Sequence, residues 1–227
     1  MARRPRLTLS GLPHLVALRG HGLGTLFIDD VDRLACVDIL RECAHGGGLA
    51  IHAYSLQAHV IAVLVTPAQA TVLSLFVQSL GRRYVAGFNR RHGLRGSLFD
   101  GRFRAAVVEP GPHALASMRY VERDLGLVAP PDLDSTWSSA AHHLGMQRVS
   151  WLVDVDAYWQ LGNTPFEREQ VYRGLLSEPL AESLDQRVRA GLASLGVIGS
   201  AAFVEECERS TGRRLSAGQR GRPQIAK

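Results

Sequence analysis

Hydrophobic positions along the chain follow two rhythms, and the change from one to the other marks the elements. Leu49–Leu56 and Val60–Val65 are short runs rich in β-branched and aliphatic residues, separated only by Gln57-Ala58 and His59, which predicts two antiparallel strands joined as a hairpin. Alternation along a strand then projects His59 and Ile61 from one face. Upstream, Leu15–Leu18 predicts a strand and Thr25–Ile28 its return around Arg19-Gly20-His21-Gly22. Asp29 or Asp30 caps a helix over Val31–Ala44 with an apolar stripe of Val31, Leu34, Ala35, Ile39 and Leu40, ended by Gly46-Gly47-Gly48. Downstream of Pro67 a helical period through Val72, Leu73, Phe76, Val77, Leu80, Tyr84 and Phe88 predicts a long helix to about Arg91. A fourth strand at about Arg102–Val108 and a helix from His113 to Leu125 complete a β-α-β-β-α-β-α order. This is the split βαβ, ferredoxin-like α+β sandwich, an antiparallel sheet with its helices on one face.

Pro130-Pro131 break the pattern, and Trp137, Trp151, Tyr158 and Trp159 concentrate large rings in a segment expected to wrap back on the core. Helices follow over Pro165–Leu176, Leu180–Ala193 and Ala201–Arg209. The expected organisation is a domain over residues 1–139, a helical C-terminal extension over 140–212, and a basic, glycine-rich disordered tail over 213–227.

Composition changes the picture in one respect. The 227 residues carry a net charge of +5, and the only lysine is the last residue, so arginine supplies the positive charge. Arginine's planar fork suits phosphates and base stacking, which points to nucleic acid; a GC-rich genome produces the same bias. Arg82, Arg83, Arg90, Arg91, Arg95, Arg102 and Arg104 cluster with Tyr84, Phe88, Phe99 and Phe103, opposed only by Asp100. They read as a nucleic-acid surface, against the plainer alternative of a solvated helix face. Arg220-Gly221-Arg222-Pro223 resembles the core of an AT-hook, a motif that enters the A·T minor groove, although a solvated tail reads the same way. Cys36, Cys43 and Cys207 form no Cys-x-x-Cys pair and are expected to be reduced. No run has the length of a membrane span or signal peptide, so a cytoplasmic protein is expected, nucleoid-associated if it binds DNA.

Several motifs in order, MARRPRL, HLVALRGHG, LFIDDVDR, IHAYSLQAHVIAVLVTP, LGRRYVAGFNRRHGLRGSLFDGRFRA, RYVE and TWSS, resemble the REP-associated tyrosine transposases, an insertion-sequence-200-like branch of the HUH superfamily. The resemblance implies cleavage and rejoining of single-stranded DNA at hairpin-bearing, REP-like repeats through a phosphotyrosine, in a protein monomeric more often than dimeric. It assigns Tyr120 as nucleophile and His59 and Asp124 as ligands of Mg²⁺ or Mn²⁺. Ile61 stands where the family has a second histidine. Isoleucine cannot ligate a metal, and the chain also lacks the Asn-Pro-Val-Arg-Ala run that follows the family's tyrosine. Two alternatives accompany this reading: a cleavage-silent descendant that binds structured DNA or RNA, and a replication-initiator-like nicking enzyme. His52 is a further, less favoured candidate ligand. From residue type alone, His59 reads as a hydrogen-bonding turn or core residue and Tyr120 as a half-buried helix tyrosine.

Overall fold

The computed structural model describes residues 6–22, 24–124, 137–194 and 196–215. Strand β1 (His14–Arg19) lies between β3 (Val60–Pro67) and β4 (Arg104–Val108), antiparallel to both, and β2 (Leu49–Gln57) pairs outside β3. The order β2-β3-β1-β4 with its two crossovers is the ferredoxin-like arrangement. A short fifth strand, β5 (Val197–Ile198), adds parallel to β4. The predicted hairpin forms, with Ala58-His59 at its turn. Thr25–Ile28 is not a strand. Its backbone is instead taken up by the hairpin turn and a helix, through Leu26 N–H to the Ala58 carbonyl at 2.6 Å and the Tyr84 hydroxyl to the Leu26 carbonyl at 2.5 Å.

Helices α1 (Asp30–His45) and α2 (Ala70–His92) cover one face of the sheet. Asp29 caps α1, its side chain accepting from Val31 N and Asp32 N. The buried stripe of α1 is Asp32, Cys36, Ile39 and Leu40, whereas Val31, Leu34 and Ala35 face outward. Asp32 can occupy the inner face because its carboxylate accepts the Ile28 N–H at 2.9 Å and is paired with Arg91 and His92 at the end of α2. In α2, Leu73, Phe76, Val77, Leu80, Tyr84 and Phe88 are buried as the period predicts, and Gly93 ends the helix in the left-handed region at φ 65°.

The other face, which the sequence pattern left uncovered, receives the rest of the chain. Helix α3 (Pro112–Arg119), a π-helical turn over Tyr120–Asp124, two single-turn helices α4 (Ala140–His143) and α5 (Asp156–Trp159), then α6 (Pro165–Ser177) and α7 (Glu182–Ser194), precede β5 and α8 (Ala201–Thr211). Tyr172, Leu176, Leu180, Val188 and Leu192 from the extension share one hydrophobic cluster with Leu15, Ala17, Ala62, Leu64 and Ala106 of the sheet. Coverage of both faces explains why β1 and β3 read as continuous apolar runs rather than alternating ones.

The free side of β2 is also occupied. Trp137 and Ser139 exchange backbone hydrogen bonds with Leu56 and Tyr54, and Val153 N–H reaches the Ile51 carbonyl at 2.9 Å. A bulge between Ile51 and Ala53 interrupts the β2 alternation.

Candidate functional site

The sheet keeps side chain 61 away from the proposed nucleophile. Ile61 is fully buried and lies with Val63 and Val65 in the cluster under α1 and α2. Tyr120, only 3% exposed, lies in the opposite cluster with Ala53, Ala62 and Leu64. Adjacent strand residues point to opposite faces, so the sheet separates side chain 61 from the Tyr120 ring. His59 sits exposed in the hairpin turn, its Nδ1–H donating to the Gly24 carbonyl at 3.2 Å, as a turn histidine does. The Asp124 side chain lies outside the described residues. With one exposed imidazole beside a buried isoleucine, the 59/61 pair does not fit Mg²⁺ or Mn²⁺, which take oxygen-rich, near-octahedral sets. His52, the other candidate, is engaged: Nδ1 lies 2.6 Å from the Val153 carbonyl and Nε2 2.7 Å from Thr66 Oγ1.

The arginines assigned to nucleic acid divide into two groups. Arg83 is paired with Glu42, and Arg91 forks onto Asp29 at 2.5 Å and Asp32 at 2.7 Å, so these two tie α2 to α1. Arg82, Arg90, Arg95, Arg102 and Arg104 are exposed and have no ion-pair partner among the described residues. They run from the C-terminal half of α2 through the loop into β4. Of the interleaved aromatics, Tyr84 and Phe88 belong to the core and are closed to bases, whereas Phe99 and Phe103 are half-buried. Phe103 already carries the Arg6 guanidinium 3.5 Å above its ring. Arg220 and Arg222 lie outside the described residues.

A buried polar cluster around Glu122 is one that sequence reasoning missed. Glu122, from the π-helical turn, is buried and accepts from Ser139 Oγ at 2.5 Å, from His143 Nδ1 at 2.7 Å and from the Tyr172 hydroxyl at 2.6 Å. His143 is wholly buried. Its Nε2 and the His142 Nε2 each lie 3.5 Å from Asp154 Oδ1. Burial works against a charged His143 ring, but the Glu122 carboxylate, assisted by Asp154, outweighs it and raises the pKa. Burial likewise opposes charge on Asp154, and the two imidazoles more than offset it, holding the carboxyl below its usual range. The Tyr158 hydroxyl donates to the His143 carbonyl at 2.7 Å, and burial pushes that phenol up to about 12. Two hints were present, Glu122 in RYVE and Ser139 in TWSS. The segment that brings Asp154 alongside offered no spacing signal.

No protein-family model matches this chain, and no curated protein matches it. Among solved structures, one described as a REP-associated tyrosine transposase bound to a REP hairpin is similar at TM-score 0.53 and 11% identity, over 69% of this chain and 93% of that one. A candidate transposase from Deinococcus radiodurans R1 aligns over 48% of this chain and 87% of its own at 19% identity and TM-score 0.36. The likeness to the first is one of fold.

Proposed function

We propose that the protein binds hairpin-bearing single-stranded DNA without cutting it. The observation that carries this reading is the surface of Arg82, Arg90, Arg95, Arg102 and Arg104, exposed and free of acidic partners among the described residues. Guanidinium groups left unpaired at a surface are free to displace counterions from phosphates. The fold, similar to that of a transposase bound to a DNA hairpin, is in keeping with a structured single strand as ligand. The separation of Ile61 from Tyr120 by the sheet supports a lack of cleavage.

The test is a salt titration of binding to a labelled single-stranded hairpin. Replacing Arg82, Arg90, Arg95 and Arg102 with Ala should make log affinity fall less steeply with log salt, by about 0.7 for every phosphate no longer neutralised. An unchanged slope removes these residues from the interface. Transposition through a Tyr120 phosphotyrosine, with Mg²⁺ or Mn²⁺ at His59 and Asp124, is the competing reading. It requires a covalent protein–DNA adduct that disappears in Tyr120→Phe, and no such adduct is expected.

A further inference from the structure

We infer that His142, His143 and Asp154 form a binding site for a transition-metal cation of the zinc class, on the face of the sheet away from His59 and Ile61. One ligand atom from each of His142, His143 and Asp154 lies within 4.8 Å of the other two. Each imidazole nitrogen stands 3.5 Å from the carboxylate oxygen, which is at the outer limit for a hydrogen bond. It is close to the separation of about 3.4 Å that 2.0–2.2 Å bonds impose between two ligands of a tetrahedral ion. His143 Nε2 and Asp154 Oδ1 are both shielded from solvent and make no hydrogen bond among the described residues, so two strong polar atoms face one another without a hydrogen bond between them.

Glu122 prepares the site. Its carboxylate takes the Nδ1–H of His143 at 2.7 Å, which turns the ring so that Nε2 faces Asp154, and a bound cation displaces the Nε2 proton to solvent. A carboxylate behind a ligating histidine fixes the tautomer and raises the basicity of the donor atom. Glu122 is itself held by Ser139 and Tyr172, so the ring is located from both sides. The two-nitrogen, one-oxygen donor set suits zinc better than magnesium or calcium.

A fourth position faces a cleft of about 330 Å³ lined by His142, Asp154, Trp159, Arg168 and Glu169, which admits water to the ion. One existing bond must yield. His142 Nδ1 accepts the Val149 N–H at 3.1 Å, which keeps the neutral ring's proton on Nε2. Metal binding moves that proton to Nδ1 and requires the N–H of half-buried Val149 to find another acceptor, a local change in the segment after α4.

The experiment is calorimetric titration of the chelator-stripped full chain with ZnCl₂, alongside the visible spectrum of the Co²⁺-loaded protein. One equivalent should bind, with the intense absorption of tetrahedral cobalt. Glu122→Gln should weaken binding by about 10- to 100-fold. Asp154→Asn and His142→Gln should each weaken it at least as much, while Cys43→Ser and His92→Asn should leave it unchanged. Asp154 and His142 border the cleft, so either variant serves if the other fails to fold. Absence of saturable binding to the parent protein overturns the site, leaving His143 as an imidazolium between two carboxylates. So does undiminished binding in both Asp154→Asn and His142→Gln.

Discussion

His14 shows how much a single fully buried ring contributes to the sheet. Its Nδ1–H donates to the Leu12 carbonyl at 2.8 Å and its Nε2 accepts the Leu9 N–H at 3.2 Å, so only the neutral ring satisfies both neighbours. Burial lowers its pKa from 6.5 to about 4, against the opposing pull of the Leu12 carbonyl. A folded-state value below the unfolded one means that the unfolded chain binds the proton more readily. The stabilisation is therefore complete above about pH 6.5 and is lost as pH falls through about 4, amounting to about 3 kcal/mol. Urea denaturation at pH 7 and at pH 4 should show this loss, and His14→Gln should be the less acid-sensitive of the two proteins. At Ile61 the expectation is opposite to a restored metal site. Ile61→His should destabilise by about 2 kcal/mol, since it buries an unpaired imidazole among α1 and α2, and should produce no DNA adduct. Equal stability, or an adduct that depends on Tyr120, would show that side chain 61 is not where the fold places it.

At the scale of elements, α2 is tied to the loop before α1 by the Tyr84 hydroxyl, which donates to the Leu26 carbonyl within the core. Tyr84→Phe leaves that carbonyl without its donor and should cost about 1–2 kcal/mol with the fold unchanged, readable as a lowered denaturant midpoint at constant slope. The stripe of α2 was legible because every buried residue in it is apolar, and periodicity reports burial only for such residues. The stripe of α1 was misplaced because its inner face includes Asp32, whose partners Arg91 and His92 come from the far end of α2. A charge neutralised across that much chain leaves no local mark. The β2 bulge has the same character: one extra residue changes the face of everything after it, and no composition announces it. The strand order, in contrast, followed from the simple succession of periods.

For the whole molecule, the extension is a wall of the core rather than an attachment to it. Its Tyr172, Leu176, Val188 and Leu192 complete the cluster around Leu15, Ala17, Ala62 and Leu64. A fragment ending at Ser139 should therefore be insoluble or should lack a cooperative unfolding transition, whereas soluble, cooperatively folding material would show that residues 1–139 suffice. The sequence pattern foresaw rings folding back after Pro131 but not the face they would cover, because β-strands buried on both sides and short apolar runs look alike. The engagement of β2 by Trp137, Ser139 and Val153, with a two-residue β5 at the other margin, has a bearing on company as well as on stability. Main-chain groups of Ile51, Tyr54 and Leu56 are engaged within the molecule, so strand addition by a second polypeptide there requires that segment to peel away first. Along this margin, contact with another molecule falls to side chains rather than to an added strand.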